Sequence, residues 1–208
     1  MKRIAVLVSG GGTNLQALID AQQKNELGGG QIVAVISSKP GAYALERAAK
    51  AGISGYVLPR KDFDSNKAMT VALVELLRKL DIQLVVLAGC MVIFTEELVN
   101  AYPNAIMNVH PALIPSFCGP GYYGLRVHEE ALRYGVKLSG ATVHFVSEEC
   151  DGGPIIAQRA VEVRPDDTPE VLQKRIMEQA EWKLLPEAVR LFCEDRITVE
   201  GRTVVIKK

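Results

Sequence analysis

The stretch "IAVLVSGGGTNLQALI" (Ile4–Ile19) decides the fold. Its first six residues, Ile4 to Ser9, are an almost unbroken apolar run. Such a strand is buried on both faces, as in a parallel sheet covered by helices. Three glycines end the run. Leu15, Leu18 and Ile19 then recur at helical spacing. A strand, a glycine turn and a helix in that order open an α/β chain.

The same alternation continues outward. Strand-like runs fall at Ile32–Ser37, Leu84–Gly89, Ala105–His110, Ala141–Val146 and Ile155–Val163. Helical patterns cover Gly41–Ala51 and Asp64–Leu80. The latter has Asp64 or Ser65 as its cap and a stripe of Met69, Leu73, Leu76, Leu77 and Leu80. Thr168 caps a further helical stretch to Cys193; Pro169 suits its first turn, and Pro186 predicts a kink or break. The tail from Arg196 reads as a small hairpin around Glu200-Gly201. The expected fold is α/β: a doubly wound, mostly parallel twisted sheet with right-handed crossovers, flanked by helices. Repeats, low-complexity tracts and long linkers are absent, so residues 1–208 are expected to form one domain.

The 208 residues carry 24 basic and 24 acidic side chains. A formal charge of zero argues against a nucleic-acid surface, which needs a basic face. The four cysteines (Cys90, Cys118, Cys150 and Cys193) include no CxxC pair, so neither metal-ligand spacing nor a disulfide framework is expected. Reduced thiols in a cytoplasmic protein are the expectation. The apolar N-terminal segment is too short for a signal peptide, and no span suits a membrane.

Gly10, Gly11 and Gly12 let backbone N–H groups approach an anion. Thr13 and Asn14 are placed to cap the following helix or to donate hydrogen bonds, and the helix N-terminus adds partial positive charge. The loop lacks the lysine of a P-loop. Leu15 stands at the third glycine of the dinucleotide fingerprint, and Ser37-Ser38-Lys39 stand where its acidic residue belongs. A phosphomonoester therefore fits better than ATP or NAD; a plain structural turn is the alternative.

Asn108 and His110 lie two apart in "AIMNVHPALIP", on one face of a strand that Pro111 and Pro115 end. A buried amide and imidazole there cost stability unless they are paired or used. Asn offers an N–H to a developing oxyanion; His carries a proton or, charged, clamps the oxyanion. Asp151 precedes Gly152-Gly153-Pro154, a turn that holds a carboxylate rigidly. Asn, His and Asp together suit acyl transfer; satisfied strand-end polar groups and an ordinary Asp turn are the plainer readings. No GxSxG elbow exists, and Cys118 lacks a nucleophile's signature, so direct transfer between two bound substrates is favoured.

Taken together, "SGGGTNLQAL", "LAGCM", "NVHPALIP", "GATVHFV" and "DGGPII" resemble the folate-dependent formyltransferases, specifically those acting on glycinamide ribonucleotide in purine biosynthesis. The likeness runs from the first strand to the helix holding Glu181. It implies a Rossmann-like N-terminal half that binds phosphate and a C-terminal half that binds folate. It places the acceptor's phosphate on Gly11, Gly12, Thr13 and Asn14, and its ribose on Glu181. The cosubstrate would be 10-formyltetrahydrofolate, with no metal. It would dock between Met91, Val92, Ile93 and Phe94 on one side and the loop from Val146 to Asp151 on the other, with Asn108 beside it. Asn108, His110 and Asp151 match the family's catalytic trio. The assembly implied is a monomer or homodimer with no nucleic acid and no membrane.

Some positions depart from the family pattern. Val92 replaces a frequent arginine, Phe94 a leucine and Trp182 a histidine. "CGPGYYGLRVH" is longer than the usual loop and keeps only its last histidine, His128. The resemblance implies that His144, inside "ATVHFV", lies close to the reacting residues; a strand polar group holding the adjacent loop is the preferred reading. A formyltetrahydrofolate hydrolase shares the trio but is expected to carry an extra N-terminal domain. A methionyl-tRNA formyltransferase is expected to carry a basic RNA-binding domain. A non-catalytic phosphometabolite-binding module has no use for the trio.

Overall fold

The computed structural model describes residues 1–207; Lys208, the last residue of the expected domain and hairpin, lies outside them. The chain runs β1 (Lys2–Val8), α1 (Thr13–Gln23), β2 (Gly30–Ser37), α2 (Tyr43–Lys50), β3 (Ser54–Val57), α3 (Asn66–Lys79), β4 (Leu84–Leu87), α4 (Glu96–Ala101) and β5 (Ile106–His110). It continues through α5 (Leu125–Tyr134), β6 (Leu138–Phe145), β7 (Ile155–Glu162), α6 (Pro169–Ile176), α7 (Trp182–Cys193), β8 (Ile197–Glu200) and β9 (Thr203–Ile206).

The strands form one sheet in the order β3-β2-β1-β4-β5-β6-β7-β9-β8. From β3 to β5 every pairing is parallel. The chain winds outward from β1 to β3, then returns to place β4 on the other side of β1. That reversal leaves a crevice at the carboxyl ends of β1 and β4. Beyond β5 the direction changes: β6 is antiparallel to β5, and β7 to β6.

Both faces of the sheet are buried. Ile4, Val6 and Val8 enter one core with Leu15 and Leu18 of α1 and Leu185 and Val189 of α7. Ala5 and Leu7 point the other way, toward Leu73 and Leu77 of α3. This two-sided burial is why β1 carries no polar alternation. On β5, Met107 and Val109 join the first core and Ile106 the second. Asn108 and His110, in phase with Ile106, therefore sit on the α3 side.

Two expected caps hold: Ser65 accepts from Ala68 N–H at 3.0 Å, and Thr168 from Val171 N–H at 3.3 Å. For two expectations that offered alternatives, the structure excludes one of the two. The cap of α1 is Gly12 at φ 72°, with no side-chain bond, so Thr13 and Asn14 do not cap it. Nor does Pro186 break its helix, for α7 runs through it. The irregularity comes one turn earlier, in a π turn over Met177–Glu181 where Trp182 N–H reaches back to the Met177 carbonyl. The widened turn shifts the backbone register before the proline arrives.

Candidate active site

The glycine loop leaves the carboxyl end of β1 and enters α1. Gly12 is required by its surroundings: its φ is left-handed, and a Cβ there would lie 2.7 Å from the Ala44 Cβ. Gly10 and Gly11 border open space, since a Cβ on either would meet nothing within 4 Å. The first backbone N–H bonded within α1 is that of Gln16, to Gly12 O at 2.9 Å. The N–H groups of Thr13 and Asn14 project from the helix end, as an anion site needs.

The Asn14 side chain turns inward, where its Nδ2 donates to Glu181 Oε2 at 2.7 Å. Glu181 is the last residue of the π turn and is 6% exposed. Burial pushes its carboxyl up to about 7, and the Asn14 bond offsets only part of that. The family-derived phosphate and ribose residues are thus one connected group at the end of α1.

Asn108, His110 and Asp151 also converge. Asp151 has φ 55°, a backbone state that Asp tolerates. The turn after it is fixed by Gly153, where a Cβ would lie 1.8 Å from the Phe145 carbonyl oxygen. The loop after β6 is thereby pressed back onto the sheet, and Asp151 reaches the β5 polar pair. Its Oδ2 accepts from Gly119 N–H at 2.9 Å and lies 3.6 Å from His110 Nδ1. Its Oδ1 lies 3.4 Å from Asn108 Nδ2 and 3.6 Å from His144 Nε2.

The partners assign the tautomers. His110 Nε2 faces the Phe117 carbonyl at 2.8 Å and therefore carries the proton, leaving Nδ1 as a lone pair toward Asp151. His144 Nδ1 faces the Phe145 carbonyl at 2.8 Å, so Nε2 accepts from Asn108 Nδ2 at 3.2 Å. Burial lowers the His110 pKa; Asp151 and the Phe117 contact raise it but do not cancel the effect. Burial raises the Asp151 carboxyl, yet the attraction it exerts on His144 and His110 when either ring is protonated, together with the Gly119 N–H, holds it below the usual range. The pairing is a neutral imidazole beside an ionised carboxylate.

The preferred reading of His144 is a loop anchor, but it is a direct neighbour of Asn108 and Asp151, as the family resemblance implies. The β5–β6 register, with Asn108 opposite His144, brings it there. The sequence signal was parity: Asn108 and His144 both interrupt apolar strands. Gly119 N–H and the Phe117 carbonyl were also missed, because backbone groups leave no residue-type signature. His128 lies on α5, fully buried and with neither ring nitrogen bonded. Burial, then the neighbouring His110, pushes its pKa down to about 4, so it packs as a neutral ring.

Met91 to Phe94 follow β4. Met91 and Ile93 are exposed, whereas Phe94 and Val146 both pack against the α3-side core. Ser9 ties this segment to the glycine loop: its Oγ accepts from Met91 N–H at 2.9 Å and meets Ser38 Oγ at 2.8 Å. Only β4 separates β1 from β5, so the strands that lead into the loop and carry Asn108 and His110 lie about 10 Å apart across the sheet. A groove of about 660 Å³ begins at Thr13 and Arg47 and runs between α1 and α7 past Trp182; it excludes the trio. Among the described residues no cluster of three His, Cys, Asp or Glu side chains could hold a metal ion, and no helix is long and apolar enough to cross a membrane.

Comparison with known proteins gives a consistent result. Residues 2–189 match the formyl transferase family model. A phosphoribosylglycinamide formyltransferase of Haemophilus influenzae is 40% identical over 200 residues, covering 96% of this chain and 91% of that protein. The crystal structure of glycinamide ribonucleotide transformylase 1 from Symbiobacterium toebii superposes with a TM-score of 0.94 at 43% identity, covering 100% of this chain and 95% of that one. A formyltetrahydrofolate deformylase from Pseudomonas syringae is more distant, with a TM-score of 0.87 at 29% identity; the match covers 100% of this chain and 66% of that one. The chain belongs to the formyl transferase family, within its phosphoribosylglycinamide formyltransferases.

Proposed function

We propose that this protein transfers the formyl group of 10-formyltetrahydrofolate to the primary amine of glycinamide ribonucleotide, a step of purine biosynthesis, by direct attack. One observation carries the reading: Asp151 meets both His110 and Asn108, two strands along the sheet from a glycine-capped helix end. A substrate with a phosphate at one end and an amine at the other spans such a gap. Its phosphate rests on Gly11, Gly12, Thr13 and Asn14, and its ribose on Glu181. The folate lies between Met91–Phe94 and the loop from Val146 to Asp151. The four free cysteines suit a cytoplasmic setting.

The chemistry follows from the hydrogen-bond assignments. The amine attacks the formyl carbon; a C–N bond forms, and the carbonyl pair moves onto oxygen. Asn108 is the donor for that oxyanion once it releases its long 3.4 Å contact with Asp151. The Nδ1 lone pair of His110 takes the proton shed by the amine. The resulting imidazolium stands 3.6 Å from Asp151, which stabilises it. His110 is thus proton carrier first and charged clamp second. Collapse breaks the bond to the folate nitrogen, which leaves with the proton that the His110 imidazolium gives back.

The test is an assay with purified protein, both substrates and separate detection of formylated acceptor and formate. The reading expects formylated acceptor in step with folate consumption. Formate released at the same rate without acceptor would make the protein a hydrolase instead.

A further inference from the structure

We infer that Arg47 is a positioning residue for the acceptor's phosphate: it aims the Gly12 amide into the site from behind the loop. The inference rests on the acceptor reading above. Two consecutive glycine carbonyls are anchored to α2. Gly10 O accepts from Ala44 N–H at 3.2 Å, and Gly11 O from Arg47 Nε–H at 2.8 Å. In a trans peptide the carbonyl and the following N–H point in opposite directions. Fixing the Gly10 and Gly11 carbonyls against α2 therefore turns the Gly11 and Gly12 N–H groups away from it. Glycine peptide planes rotate more freely than any others, so this loop needs such anchors to hold its donors.

Arg47 is itself held on three sides. Its Nη1 donates to Gln16 Oε1 at 2.8 Å, its guanidinium lies 4.9 Å from the Tyr43 ring centroid, and a Cβ on Gly12 would lie 3.6 Å from its Cδ. A long side chain gives up much rotamer freedom to sit this way. A cationic donor on the carbonyl also polarises the amide, strengthening the N–H at its other end.

The experiment compares wild type, Arg47→Met and Arg47→Lys. Arg47→Met is expected to raise KM for glycinamide ribonucleotide about tenfold. Competitive inhibition by inorganic phosphate should weaken by the same factor, with kcat at saturation and KM for the formyl donor near wild type. Lysine can donate to Gly11 O and should recover part of the loss. In amide NMR of the wild type, added phosphate should shift Gly11 to Asn14; in Arg47→Met the Gly12 response should shrink. Unchanged KM and phosphate inhibition in Arg47→Met would overturn the inference, as would a fall in kcat with both KM values displaced. No phosphate response at Gly11 to Asn14 in the wild type would remove the acceptor-site reading itself, and this inference with it.

Discussion

Asn14 at the start of α1 and Glu181 at the end of the π turn, 167 positions apart, meet through a 2.7 Å hydrogen bond almost out of reach of water. Among the described residues no cationic side chain is bonded to this carboxyl, and burial governs its titration. Its pKa of about 7 in the fold exceeds the ordinary 4.5. Between those values the native state holds a proton that the unfolded chain has released. Stability therefore falls as pH rises through that window, by about 3 kcal/mol in all. Glu181→Gln should flatten this slope and exceed wild-type stability at pH 8, read by urea unfolding, while weakening acceptor binding. Identical slopes in the two proteins would contradict the assignment.

Removing the Asp151 charge acts on His110. Asp151 opposes the depression that burial imposes on the imidazole. In Asp151→Asn the His110 titration, followed by NMR, should move further down. Turnover should drop by about two to four orders of magnitude with the fold intact. Wild-type turnover would remove Asp151 from the chemistry.

Gly153→Ala tests how Asp151 is delivered. The added methyl would press on the Phe145 carbonyl and approach Ser147 N at 3.3 Å. Thermal unfolding should show a loss of about 2 kcal/mol or more, and turnover should fall because Asp151 moves with the turn. A variant with unchanged melting temperature and turnover would show that the turn is not the support described above.

Ser9→Ala should separate the two substrates. It leaves the Met91 N–H without its 2.9 Å acceptor, at a cost of about 1–3 kcal/mol where that group is shielded from water. KM for the formyl donor should rise more than KM for the acceptor. The reverse order would place Ser9 in service of the phosphate loop alone.

The parallel half of the molecule was readable because its strands are buried on both faces, and that alone produces unbroken runs such as Ile4–Val8. β3, α4 and α5 were not read. β3 is a short edge strand that is mostly exposed. α4 has only six residues. α5 buries Val127, His128 and Ala131, a face too small and too polar to register as a stripe. At the site, Asn108, His110 and Asp151 were visible as residue types out of place. The place of His144 beside them came only through the family resemblance, because it depends on a cross-strand register that no local pattern encodes. Arg47 was invisible for a related reason: it works through a carbonyl, and carbonyls are the same everywhere along the chain.

The change of strand direction at β5–β6 has a consequence for the order of assembly. Asn108, His110, His144 and Asp151 all come from one continuous stretch of chain built around an antiparallel pair. The acceptor pocket instead waits for the C-terminal helices to dock on α1. Contacts between near neighbours close smaller loops and form faster. The reaction centre is therefore expected to gain protection before the pocket that feeds it. Pulsed hydrogen exchange during refolding would read this directly, with the β5–β6 amides protected ahead of those in the first turn of α1.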